Sequence, residues 1–229
     1  NGLLIVLFIA MVIVSQFMLT FGSDPNAKIT KKSKSPLSFH PIALIFGLLS
    51  FVSYLVEGAV GDWSALYLFE DKGIVIEEAV MGVMLFNGTM CIGRLLGNRL
   101  GKHLTSKQVV VGGYLLGSIA MGLIVFLPGH ASMYTYLLLG ISLAMIVPNL
   151  FSAMGEQNVI PMTQAVATST MLGYMGILMG PALIGFIAHG TSLTVAFIVL
   201  TTLLVVSAGI GKYAYHLMSK DCGLSEEQI

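Results

Sequence analysis

The 229 residues carry 11 Lys and Arg against 11 Asp and Glu; 56% are hydrophobic, only 10% are charged, and mean hydropathy is +0.90. A soluble domain has about a quarter of its residues charged, so these figures exclude an ordinary soluble globule, and the zero net charge argues against a nucleic-acid partner. They describe an all-α integral membrane protein, a class that 26 glycines and 14 methionines also fit.

Apolar runs of about 20 residues, the length that crosses the hydrocarbon core, divide the chain into seven candidate helices. They are Leu3 to Phe21, Pro41 to Phe69, Val75 to Leu96, Val109 to Leu127, Met133 to Ala153, Ala165 to Ala188 and Leu193 to Tyr215. The first lacks the basic leader and cleavage site of a signal peptide. Because the chain opens on Asn1 in mid-hydrophobic stretch, it is expected to be a segment of a longer polypeptide. The polar break from Gly22 to His40 carries Lys28, Lys31, Lys32 and Lys34 and reads as a linker, its lysines setting topology or binding anionic lipid. The second run is long for a straight crossing, and Gly58 and Gly61 predict a break or bend within it. In the fifth run, Pro148 and Asn149 predict a kink, because proline frees a backbone carbonyl that a polar neighbour can satisfy.

Lys and Arg are retained on the cytoplasmic side during insertion, and all of them except Lys72 fall on alternate-side breaks or at the span ends beside them. This places the linker and the C-terminal tail in the cytoplasm, and Glu70, Asp71, Glu77 and Glu78 outside. Trp63 and Tyr67 then lie near the outer interface, where amphipathic rings settle.

The second run also holds the first candidate functional residue. An ionised acid at the centre of a membrane helix costs roughly 2.5 to 3.5 kcal/mol, so Glu57 either meets substrate or protons or is a structural buried acid. Tyr54, Glu57, Gly58 and Gly61 share one helical face. Asp62 points elsewhere and approaches outside water. Counted at about 1.5 Å per residue from the two membrane faces, Glu57 and Arg94 differ by about 14 Å in depth. That predicts no ion pair and makes Asn87 the expected neighbour of Glu57. Asn87, Cys91, Arg94 and Asn98 form a polar stripe down the third run. Tyr174 lies near mid-depth in the sixth, suited to a cavity wall or to packing between helices, and Gly176 and Gly180 form a GxxxG packing motif.

Three passages resemble the C-terminal half of a major facilitator superfamily transporter, of a poorly characterised branch of bacterial inner-membrane facilitators. Gly93 to His103, GRLLGNRLGKH, is similar to the superfamily's signature loop, with Asn98 where an acid would stand, Arg99 at the basic position, then Gly101 and Lys102. YLVEGAVGDWSALYL resembles helix seven, and Gly173 to Ala188, GYMGILMGPALIGFIA, resembles helix eleven. The resemblance implies a six-helix bundle of two three-helix repeats at 41–216, plus one preceding transmembrane helix at 1–21 that belongs to a missing N-terminal half. Residues 22–40 would be a cytoplasmic linker and 217–229 a cytoplasmic tail. It further implies alternating-access transport of a small-molecule substrate, coupled to a proton gradient. Glu57, Asn87, Tyr174 and Tyr54 would line the path. Arg94, Asn98 and Arg99 with Glu156 would form the cytoplasmic gate, the arginines alternatively contacting lipid phosphates. The implied partners are the N-terminal six-helix half and membrane lipids.

The five histidines lie at span ends and are never paired at i, i+4, and no P-loop is present, so no metal site, cofactor or catalytic constellation is indicated. Cys91 and Cys222 suggest no disulfide framework. A reading from another class is a non-transporting receptor or scaffold that keeps the bundle.

Overall fold

The structure, a computed structural model, describes residues 39–100 and 104–222, and the side chains of all of these except 98–100, 221 and 222. They belong to the second of two compact units, 35–229. The first run and nearly all of the linker, with its lysines, lie outside the described residues.

Among the described residues, eight helices make six spans, each long and apolar enough to cross a bilayer. The first three spans are unbroken: α1 (Pro41–Glu70) and α2 (Ile76–Leu100) are joined by a short turn, and α3 (Ser106–Phe126) follows. The fourth span is divided into α4 (Gly129–Tyr134), α5 (Tyr136–Ala144) and α6 (Ile146–Glu156). Then come α7 (Met162–Gly190) and α8 (Leu193–Cys222). Local chemistry starts them well. His40 accepts the Ile42 N–H ahead of Pro41 at the first helical position. Thr105 and Gln108 close a reciprocal capping box on α3.

The break at Met145 is the predicted kink, displaced one turn toward the N-terminus. Pro148 has no N–H to give the carbonyl of Ala144, so the ladder opens there, and the Asn149 amide donates to the Met145 carbonyl at 2.8 Å. The break expected around Gly58 and Gly61 is absent: α1 runs 30 residues without interruption. Glycine keeps its N–H and weakens a helix by only about 1 kcal/mol, which packing along α7 readily offsets.

The principal pairings are α1 with α7, α3 with α8, and α2 with α5. They relate the two triples of spans. Exchanging first with fourth, second with fifth and third with sixth turns the α1–α7 pairing into the α2–α5 pairing and leaves α3–α8 unchanged. That is the pattern two inverted three-helix repeats produce. Glycine sets the closeness of these contacts. A Cβ at Gly180 would lie 2.5 Å from the Leu55 carbonyl oxygen, one at Gly176 would overlap the Phe51 carbonyl, and one at Gly58 would lie 2.8 Å from the Ile177 oxygen. Ile177 is also the residue whose carbonyl Pro181 cannot serve.

Polar crosslinks reinforce the apolar packing. The Tyr114 hydroxyl donates to the Leu49 carbonyl at 2.7 Å and shares a 2.9 Å hydrogen bond with Ser53, tying α3 to α1. Trp63 donates its indole N–H to the Pro181 carbonyl at 2.9 Å, tying α1 to α7. One end of the bundle carries Glu70, Asp71, Glu77 and Glu78, and the opposite end carries Lys107, Lys212 and Lys220. At the acidic end Lys72 donates to the carbonyls of Val125 and Leu127 at 2.6 and 2.9 Å, neutralising the C-terminus of α3.

Candidate functional site

The i, i+3, i+4 spacing of Tyr54, Glu57 and Gly58 places them where α1 meets both α2 and α7. Toward α2, Arg94 Nη2 donates to Glu57 Oε2 at 3.3 Å, with the two side chains 44% and 23% exposed. This corrects the expectation drawn from depth. That count started from opposite membrane faces and took the core as the whole length of each helix, whereas α1 alone, at 30 residues, is about 45 Å long. Measured instead from the turn that joins them, Glu57 lies about 20 Å along α1 and Arg94 about 27 Å along α2, a gap the long arginine side chain closes.

The pair is a single long contact, not the bidentate fork that makes Arg–carboxylate bonds strong. It offsets the penalty of a lone carboxylate between apolar helices while remaining breakable.

Toward α7, the rings of Tyr54 and Tyr174 stack with centroids 6.1 Å apart and planes 7° from parallel. Gly173 makes this possible, since a Cβ there would lie 2.6 Å from Tyr54 Cδ2. Tyr174 is 60% exposed, so its ring is a surface of the bundle and is not packed away between helices. Asn87 does not bond Glu57; its amide donates to the Val83 carbonyl of its own helix at 3.0 Å. It nevertheless shares the exposed face of α2 with Cys91 and Arg94, as the stripe predicted.

Of the residues assigned to the gate, Arg94 and Glu156 have described side chains. Asn98 and Arg99 fall in the last turn of α2, and their side chains lie outside the described residues. Glu156 is exposed at the end of α6, and among the described residues the carboxylate paired with Arg94 is Glu57. Beside Glu156, the buried Gln157 organises the turn into α7, accepting from the Val159 and Ile160 N–H groups and donating to the Ile160 carbonyl. Nothing in the residue pattern singled out Gln157. The Arg94–Glu57 pair, by contrast, was within reach of a count made from the shared turn.

Six apolar spans among the described residues, arranged as two interleaved triples, form the kind of inverted-repeat bundle on which many secondary transporters are built. No protein-family model matches the chain. Curated relatives do. An uncharacterized MFS-type transporter of Yersinia pestis is 41% identical over 168 residues, 72% of this chain and 43% of the relative. The membrane protein MosC of Rhizobium meliloti is 30% identical over 73% of this chain and 42% of its own length. Among solved structures, the E. coli fucose:proton symporter superposes with a TM-score of 0.66 at 16% identity, covering 76% of this chain and 42% of the symporter. The chain is therefore similar, in sequence and in fold, to the C-terminal half of major facilitator superfamily transporters, and it spans less than half the length of the relatives it matches.

Proposed function

We propose that the chain is part of a secondary active transporter that moves a small solute by alternating access, coupled to a proton gradient through Glu57. The observation that carries this reading is the Arg94–Glu57 contact at 3.3 Å. Protonation of Glu57 removes the charge that holds Arg94 and frees the guanidinium for substrate; loss of the proton restores the pair. Such an exchange biases α1 and α2 between two arrangements, as coupling requires. The Tyr54–Tyr174 stack offers a flat amphipathic wall for the solute, and Asn87 lies on the open face of α2 along the same path. Arg99, Asn98 and Glu156 belong to the gate at the basic end. That end faces the cytoplasm of a bacterial inner membrane, and an N-terminal six-helix half supplies the opposite wall. The transporter names of the relatives and the fold of a proton symporter support this reading.

Cys91, exposed on the Arg94 face, provides a test that needs no known substrate. In the full-length parent carrying Cys222→Ser, the rate of labelling by a water-soluble maleimide is expected to change between pH 5.5 and 8, beyond the change in thiolate fraction measured on unfolded chain. Glu57→Gln should hold it at one value. A corrected rate that is independent of pH, or a pH response that survives Glu57→Gln, removes Glu57 from the coupling and favours a static scaffold.

A further inference from the structure

The charges around Glu57 constrain what its site can hold. Its partner is Arg94 of α2, at 3.3 Å. The Tyr54 hydroxyl lies within electrostatic reach of Glu57, Arg94 and Tyr174 together, so the ion pair and the tyrosine stack form one site. Cys91 lies one turn before Arg94 on the same exposed face of α2. Asp62, five residues beyond Glu57, is about 140° around the helix from it. With Glu57 ionised the pair is neutral. With Glu57 protonated, the single positive charge of Arg94 remains, and among the described residues the carboxylate paired with that guanidinium is Glu57 alone. An uncompensated charge between apolar helices is costly. A monoanion cancels it, whereas a neutral solute leaves it, a cation adds to it and a dianion exceeds it.

The α7 side sets the shape. The rings of Tyr54 and Tyr174 are parallel to within 7° with centroids 6.1 Å apart, and a third ring between them would need about 7 Å, two carbon contact distances. A guest ring therefore stacks on the outer face of Tyr174, which is 60% exposed. Leu178, one turn further along α7, is exposed too and continues that surface with hydrocarbon.

We propose that this site takes a planar aromatic monocarboxylate, its ring on the face of Tyr174 and its carboxylate on Arg94, bound together with the proton that neutralises Glu57. This substrate class rests on the coupling role given to Glu57 above. Proton and carboxylate then cross as a pair with no net charge. The proton stays on Glu57 while the solute's carboxylate takes its place at Arg94, and both leave before the Arg94–Glu57 contact re-forms.

The experiment measures protection of Cys91 from a water-soluble maleimide in the full-length parent, read by peptide mass spectrometry. Three probes of similar size are compared: benzoate, planar and anionic; benzamide, planar and neutral; and cyclohexanecarboxylate, anionic and not planar. At pH 5.5 benzoate should protect at a concentration at least about tenfold below benzamide, the usual margin for a carboxylate over a neutral group on arginine. Its margin over cyclohexanecarboxylate should be about threefold, from stacking. Benzoate is ionised at both pH 5.5 and pH 8, yet its protection should weaken toward pH 8, where Glu57 reclaims Arg94; Glu57→Gln should retain it there. Arg94→Gln should erase the preference over benzamide, and Tyr174→Leu the preference over cyclohexanecarboxylate alone. A labelling rate without probe that does not respond to pH, once corrected for thiolate fraction, overturns both the coupling role of Glu57 and this substrate class. A rate that does respond, with benzamide or cyclohexanecarboxylate protecting as well as benzoate, or with no probe protecting at millimolar concentration, leaves the coupling standing and overturns the substrate class.

Discussion

The contact between α1 and α7 sets the spacing of Tyr54 and Tyr174, and a single methyl group can test it. Alanine at Gly176 would drive its Cβ into the carbonyl of Phe51. That carbonyl is fixed within a helix and cannot rotate aside, so α7 must retreat by roughly 1 Å to reach ordinary van der Waals separation. Overpacking of this kind costs about 1–3 kcal/mol, partly masked because alanine is a better helix former than glycine by about 1 kcal/mol. Gly61 supplies the control. It lies on the same pair of helices, and a Cβ there meets nothing within 4 Å, so Gly61→Ala keeps the propensity gain without the clash. The difference between the two variants isolates the steric cost, about 1–3 kcal/mol. Equilibrium unfolding of the full-length protein in mixed detergent micelles measures it. Trp63, the single tryptophan of this sequence, has a ring that rests on Gly185 of α7, so its emission reports whether the helices separate in the folded state. Equal stability of Gly176→Ala and Gly61→Ala would refute the close approach of the two backbones.

Other contacts make separate predictions. Tyr114→Phe removes the hydroxyl that bridges Leu49 and Ser53, and should lower unfolding free energy by about 1 kcal/mol in the same assay. Lys72→Met leaves two carbonyls at the end of α3 without their donor; a loss of about 1–2 kcal/mol is expected, with faster hydrogen exchange at residues 123–127. Trp63→Phe keeps the apolar contact but deletes the bond to Pro181, which should cost about 1 kcal/mol. His130 and Glu78 meet at 2.7 Å, but both side chains are about half exposed. His130→Ala should therefore change stability by less than about 1 kcal/mol, and a larger loss would mean that this contact is screened far less than its exposure implies.

Much of this protein was determined by the sequence alone, because the hydrophobic pattern of a membrane helix is a local property. Run length placed all six described spans, their ends falling within about four residues except that the last helix runs seven residues past Tyr215; Pro148 marked the kink in the fourth, and the i, i+4, i+7 spacing of Asn87, Cys91 and Arg94 put them on one exposed face. Only the tertiary structure decided which residues meet across helices. The Arg94–Glu57 pair depends on where the two helices begin relative to each other, and helices longer than the hydrocarbon core make depth a poor measure of that. The Tyr54–Tyr174 stack depends on a glycine in α7 lying opposite a ring in α1, and the unbroken course of α1 past Gly58 depends on α7 packing along it. Periodicity states which way a side chain points from its own axis; the height and rotation of the neighbouring axis come from the sum of all contacts in the bundle.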